Sequence, residues 1–125
     1  MKHKLCLLID DDKDDQDFFH DALNDVSPEA QLIIAPDAAT AIKILREEQP
    51  PDLIFLDLYL PGIDGYEFLI QLKRDMRHRR IPVIVYSQLD DEHQMTKTKK
   101  LGAADFFTKT RERNLLQNLL RKYVV

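Results

Sequence analysis

The chain contains one cysteine, Cys6, so no internal disulfide can form and the fold must hold together through its core. At 125 residues that is within reach, because a chain of this length buries enough surface for one domain. Cys6 lies inside an apolar run, which predicts a buried small side chain; a reactive thiolate needs an exposed, electropositive setting. Glycine and proline are sparse and no internal repeat or low-complexity linker is present, which excludes fibrous and disordered classes and predicts one domain over residues 1–125. No apolar run approaches membrane-spanning length, so membrane insertion is not expected. Met1, Lys2, His3 and Lys4 have the charge of a signal peptide's start, yet the apolar residues after them stop at an acidic cluster. That brevity predicts a mature cytoplasmic N-terminus. An excess of positive charge is missing too. The formal net charge of -4 argues against direct nucleic-acid binding, which depends on neutralising many phosphates. The basic clusters RHRR, from Arg77 to Arg80, and KTKK, from Lys97 to Lys100, read as solvated surface.

What is present is a strict alternation. Leu5 to Ile9, Gln31 to Ala35, Leu53 to Leu56, Ile81 to Tyr86 and Ala104 to Phe107 are short and mostly apolar throughout, as strands covered on both faces must be. Between and after them run helical periods. Phe19, Ala22, Leu23 and Val26 repeat at i, i+3, i+4, i+7, as do Ala38, Ala41, Ile42 and Leu45, and Leu116, Leu119, Leu120 and Tyr123. A third helix is predicted from about Asp64, its N-cap, to Met76, with Leu69, Leu72 and Met76 on one side. The fourth, about Asp91 to Leu101, has only Met95 and Leu101 as large apolar anchors, which predicts light packing. Alternating strand and helix imply right-handed crossovers and an α/β, doubly wound parallel sheet. In such a sheet the working site lies beyond the carboxyl ends of the strands.

Those ends carry chemistry. The first predicted strand delivers Asp10 and Asp11, the third Asp57, the fourth Ser87 and the fifth Lys109. Like charges a few ångströms apart oppose one another's ionisation, so three neighbouring carboxylates call for a cation. Oxygen-only ligands with room for water suit Mg²⁺, while the spaced ligands and central glycine of a calcium loop are missing. Asp12, Asp14, Asp15 and Asp17 read instead as residues that cap and charge the first helix.

The stretches LLIDDD, DLIFLDLYLPGIDGYEFL, IPVIVYS and LGAADFFTK together resemble a response-regulator receiver domain, the phosphoacceptor of two-component signalling. The resemblance covers nearly the whole chain, and the Asp-x-x-x-Pro-Gly-x-x-Gly order from Asp57 to Gly65 is its most demanding part. It implies a flavodoxin-like (βα)5 fold with strand order 2-1-3-4-5, of the stand-alone kind, since only one helix fits after Lys109. It also implies that Asp57 accepts a phosphoryl group from a histidine kinase or histidine phosphotransfer protein. A carboxylate nucleophile needs no histidine beside it, and no histidine stands at any of these strand ends. By the same likeness Asp11 and Asp57 bind Mg²⁺ directly, Asp10 acts mainly through water, and Tyr59 offers its main-chain carbonyl. Lys109 supplies positive charge, Ser87 reads the product, and Phe106 stands where many receivers carry a switching aromatic. The output is a changed protein-binding surface on the fourth helix, fifth strand and last helix, where Lys97, Lys99, Lys100 and Arg113 face an unidentified downstream protein.

The pattern departs in places. Receivers usually have proline after the lysine, joined by a cis bond; Thr110 stands there, and a trans bond at Lys109-Thr110 is expected. The Thr110 hydroxyl is also placed to cap the last helix. Gln88 replaces a commonly small residue, and Tyr59 and Leu89 are placed to govern how water reaches the site. Gly62 and Gly65 read as structural, for positive φ or a close backbone approach. Two other classes stay open at this level: a receiver-like binding module that is never phosphorylated, and a haloacid-dehalogenase-type phosphatase using Asp10. The latter family expects Asp-x-Asp-x-Thr, whereas Asp14 occupies the threonine's place.

Overall fold

A computed structural model describes residues 4–47, 49–88 and 91–125. Five strands and five helices alternate along them. They are β1 (Leu5–Ile9), α1 (Lys13–Val26), β2 (Gln31–Ala35), α2 (Ala38–Glu47), β3 (Leu53–Leu56), α3 (Gly65–Arg74), β4 (Val83–Ser87), α4 (Glu92–Lys100), β5 (Asp105–Thr108) and α5 (Arg113–Val124). All strand pairs are parallel and the order is β2-β1-β3-β4-β5, as the resemblance implies.

Apolar strands without polar alternation still have two sides, and here each side owns a core. Leu7, Ile9, Ile54, Leu56, Val83 and Val85 point to one face, where Ala38, Ala41 and Leu45 of α2 and Phe68, Leu69 and Leu72 of α3 meet them. Cys6, Leu8, Phe55, Ile84 and Tyr86 point to the other, against Phe19, Ala22 and Leu23 of α1 and Leu116, Leu119 and Leu120 of α5. Phe19 lies edge-on to Phe55 with ring centroids 4.9 Å apart. Cys6 is fully buried and its thiol is pushed up to about 12, first by burial and then by Asp52, so it is inert filling.

The sequence places most elements within a residue or two. One helix and one strand differ for identifiable reasons. α3 ends at Arg74 because Asp75 halts it: its amide bonds Leu72 O, while its carboxylate accepts from the Arg77 amide and the His78 ring. Met76 therefore lies outside the helix and is exposed, whereas Gly65, Phe68, Leu69 and Leu72 form the buried stripe. β4 starts at Val83 and not at Ile81, since Pro82 has no amide to add to a ladder. α4 is held as lightly as expected. Thr98 is its one buried residue, with Met95 and Leu101 partly buried against the core. In the RHRR cluster, His78 is buried and bonds Asp75, while its arginines are exposed.

Candidate functional site

The carboxyl ends of β1, β3, β4 and β5 converge because the parallel ladder continues one residue past β1, β3 and β5 and reaches Ser87 at the end of β4. The Asp10 amide bonds Ala35 O at 3.0 Å, the Asp57 amide bonds Ile9 O at 3.0 Å, and the Lys109 amide bonds Ser87 O at 2.8 Å. Backbone pairing thus fixes the roots of the side chains that meet there.

Asp57 is buried and both its oxygens are engaged. Oδ1 accepts from the Ser87 hydroxyl at 2.8 Å and the Tyr59 amide at 2.9 Å, and Oδ2 accepts from Lys109 Nζ at 2.8 Å. Ser87 in turn accepts from the Leu58 amide at 3.3 Å, which fixes the direction of its proton. Asp10 is equally hidden, with Oδ1 taking the Asp12 amide at 3.0 Å and Oδ2 facing Lys109 Nζ at 2.8 Å. Burial holds its carboxyl above the usual range despite the Lys109 ammonium and the Asp12 amide, which pull the other way. Asp11 stands exposed beside them. One oxygen from each of Asp10, Asp11 and Asp57 lies within 4.8 Å of the others, a cluster of hard ligands sized for a small divalent ion.

Lys109 neutralises this crowd. Its ammonium has three hydrogens and three carboxylate partners, Asp10, Asp15 and Asp57, each at 2.8 Å. Burial pulls the ammonium toward neutrality, but the three carboxylates outweigh it and hold its pKa above the ordinary lysine value. Asp15 is the site residue that reading the sequence missed. It does more than charge the first helix: Oδ2 meets Lys109, and Oδ1 meets Arg111 Nη2 at 3.1 Å. The other members of that acidic run behave as expected, with Asp12 capping α1 through the Asp15 amide and Asp17 pairing with Lys13 at the surface. Four carboxylates against Lys109 and Arg111 leave two negative charges, the complement of one divalent cation.

The two glycines after Pro61 serve different ends. Gly62 has φ of 76°, the left-handed region that glycine enters freely. Gly65 sits against the acceptor's own backbone, so a Cβ there would lie 2.5 Å from Leu58 Cα and 2.7 Å from Asp57 O. Backbone cannot step aside. Gly65→Ala is expected to lower stability by about 1–3 kcal/mol in urea unfolding and to displace Asp57 from Lys109. An alanine variant as stable as wild type would show that this contact relaxes freely.

A sequence profile described as the response regulator receiver domain matches residues 6–121. The chain belongs to that family. Receiver domains are the signalling domains of two-component systems, and histidine kinases or phosphotransfer proteins phosphorylate them. This receiver is 33% identical over 114 residues to the response regulator Rcp1 of Synechocystis, covering 86% of this chain and 78% of Rcp1. It is 32% identical over 79 residues to the protein PilH of Pseudomonas aeruginosa, covering 63% of this chain and 64% of PilH. Among solved structures, the Mn²⁺-bound form of Rcp1 superposes with a TM-score of 0.89 at 28% identity, covering 97% of this chain and 94% of that one. The phosphorylated cyanobacterial phytochrome response regulator RcpA gives 0.87 at 31% identity, covering 97% and 91%.

The remaining expected residues take varied places. The Tyr59 side chain is exposed, and its amide is turned to Asp57. Phe106 is buried in the core on the α4 side of the sheet. Gln88 is exposed after Ser87, and Leu89 lies outside the described residues. No cis peptide is present among the described residues, in line with the trans bond expected at Lys109-Thr110. Thr110 is not the N-cap of α5; Glu112 is, and the Thr110 hydroxyl accepts the Glu112 amide at 3.0 Å. Arg113 pairs with Asp25 of α1 at 2.8 Å, and Lys97 lies over the Tyr66 ring, so part of the expected basic surface is already partnered.

Proposed function

We propose that Asp57 accepts a phosphoryl group from a phosphohistidine protein in a Mg²⁺-dependent step, and that the product alters a protein-binding surface. The observation that carries this reading is the buried Asp57, with Lys109 on one oxygen and Ser87 on the other, beside a carboxylate cluster of divalent-ion size. In the transfer, an Asp57 oxygen forms a bond to phosphorus as the bond from phosphorus to the donor imidazole nitrogen breaks. The electron pair of the broken bond stays on the imidazole, which takes up a proton. Bound Mg²⁺ would supply charge neutralisation and a template for the phosphoryl oxygens, held by Asp11, Asp57 and the Tyr59 carbonyl, with Asp10 acting through water. Lys109 offers its ammonium to the developing negative charge. The Ser87 hydroxyl exchanges Asp57 for a phosphoryl oxygen, pulling the loop that follows it inward and so biasing α4.

That helix is the element with least to lose. A single buried residue and two half-buried anchors leave it free to shift, with Phe106 beneath it as the candidate switching ring. The exposed Lys97, Lys99 and Lys100 suit an acidic protein partner. No helix among the described residues is long and apolar enough to cross a membrane. We place this chemistry in the cytoplasm and expect neither membrane insertion nor direct nucleic-acid contact.

Incubation with a histidine kinase phosphorylated on histidine should move label to this chain, with no transfer when Mg²⁺ is chelated. A chain that stays unlabelled with both small phosphodonors and kinases would favour a binding module that is never phosphorylated. Mg²⁺ should also stabilise the fold, because the site is assembled only in the native state. At about a hundred times its dissociation constant the gain is about 2.7 kcal/mol, read as a rise in melting temperature that EDTA reverses.

A further inference from the structure

Lys109 must stay aimed at Asp57, yet β5 ends one residue before it at Thr108. The ladder holds the Lys109 amide through Ser87 O, the last β4–β5 bond among the described residues. The next residue is caught by a side chain. The Thr110 amide donates to the Tyr86 hydroxyl at 3.2 Å, and that hydroxyl lies 3.4 Å from Thr110 O, able to donate its own proton in return. Tyr86 is buried on β4, next to Ser87, with its ring packed near Phe19. A rigid ring with its root in the sheet therefore grips the backbone just after the lysine. Proline, the usual residue after a receiver's lysine, has no amide to give such an acceptor; Thr110 has one.

We propose that Tyr86 is a positioning residue that acts through the Thr110 backbone to hold Lys109 in line with Asp57. The inference rests on the phosphoacceptor reading. It predicts that both faces of Lys109 are pinned, by Ser87 O before it and by the Tyr86 hydroxyl after it. Loss of the second pin leaves Lys109 chemically intact and poorly placed, and misplacement of a charged group is costly in phosphoryl transfer.

The test is self-phosphorylation of the full chain by acetyl phosphate with saturating Mg²⁺. Tyr86→Phe keeps the ring and removes the clasp; the first-order rate constant of this single turnover at saturating donor, written kcat here, should fall about fivefold to tenfold while the half-saturating donor concentration, written KM, stays within about twofold, because donor binding does not pass through this loop. Tyr123→Phe serves as a control for lost stability alone, since Tyr123 donates to Asp105 far from Lys109, and it should leave kcat within about twofold. Equal kcat in wild type and Tyr86→Phe overturns the inference and leaves the phosphoacceptor reading standing. A raised KM at constant kcat also overturns it. Failure of wild type itself to gain a phosphoryl group overturns the reading and the inference with it. If Tyr86→Phe does not fold, the wild-type Thr110 amide decides: slow hydrogen exchange supports the clasp, and exchange as fast as in an exposed loop refutes it.

Discussion

Asp57→Asn should abolish phosphoryl labelling by acetyl phosphate and by phosphohistidine alike, at any Mg²⁺ concentration. An amide oxygen is a far poorer nucleophile than a carboxylate oxygen, and the charge that helps hold the divalent ion goes with it. Folding should survive, because asparagine retains an oxygen able to accept from Ser87 and Tyr59, and losing one negative charge relieves the crowd beside Asp10 and Asp11. Asp10→Asn gives the matching comparison. On this account it slows labelling without ending it, since Asp10 reaches the metal through water. The opposite pattern, in which Asp10→Asn ends labelling and Asp57→Asn does not, would place the nucleophile after the first strand, as in a haloacid-dehalogenase-type phosphatase.

Lys109→Ala is expected to have the largest effect on stability. Its ammonium is the shared partner of two buried carboxylates, Asp10 and Asp57, and of the less buried Asp15. Removing one member of a buried ion pair leaves charge without compensation and costs about 3–5 kcal/mol. Phosphorylation should also slow, by about a hundredfold or more, as when a positioned charge donor is removed. Two conditions should return part of the stability. Mg²⁺ replaces the missing positive charge. Acid does so by protonation: the folded-state pKa of Asp10 already lies above its ordinary value, so its ionisation costs stability at neutral pH and that cost fades as pH falls through the folded pKa. The difference between Lys109→Ala and wild type in EDTA should therefore shrink from pH 7 toward pH 4. In the wild type the lysine's own contribution is constant over that window, because its raised pKa is fully expressed below about 10.5 and lost only as pH rises through the folded value. Urea unfolding across pH, with and without Mg²⁺, checks both. A Lys109→Ala chain of wild-type stability in EDTA would mean that these carboxylates neutralise one another by sharing protons.

The strands and the site residues at their ends were legible because burial on both faces leaves an apolar run whose end is abrupt, and Asp10, Asp57, Ser87 and Lys109 stand where those runs stop. Edges set by one hydrogen bond were less legible. Nothing in the period of Leu69 and Leu72 announces that Asp75 will turn its carboxylate on the next residues and leave Met76 in solvent. Asp15 was hidden by its neighbours: in a run of aspartates each one looks like helix capping, and only the packing of α1 beside α5 brings one of them to Lys109 and Arg111. Tyr86 passed as core, which it is. Its hydroxyl was the neglected clue, since a phenol on a buried strand must find a partner, and the partner at Thr110 is set by a strand pairing that no local pattern states.

The central claim is that Asp57 carries phosphorus when magnesium is present. Its most direct test is the intact mass of the full chain after acetyl phosphate and Mg²⁺, followed by reductive trapping and peptide mapping. This account predicts the gain of one phosphoryl group, absent with EDTA and mapped to Asp57. A gain mapped to Asp10, or a mass unchanged in Mg²⁺ after both acetyl phosphate and a phosphorylated kinase, would contradict it.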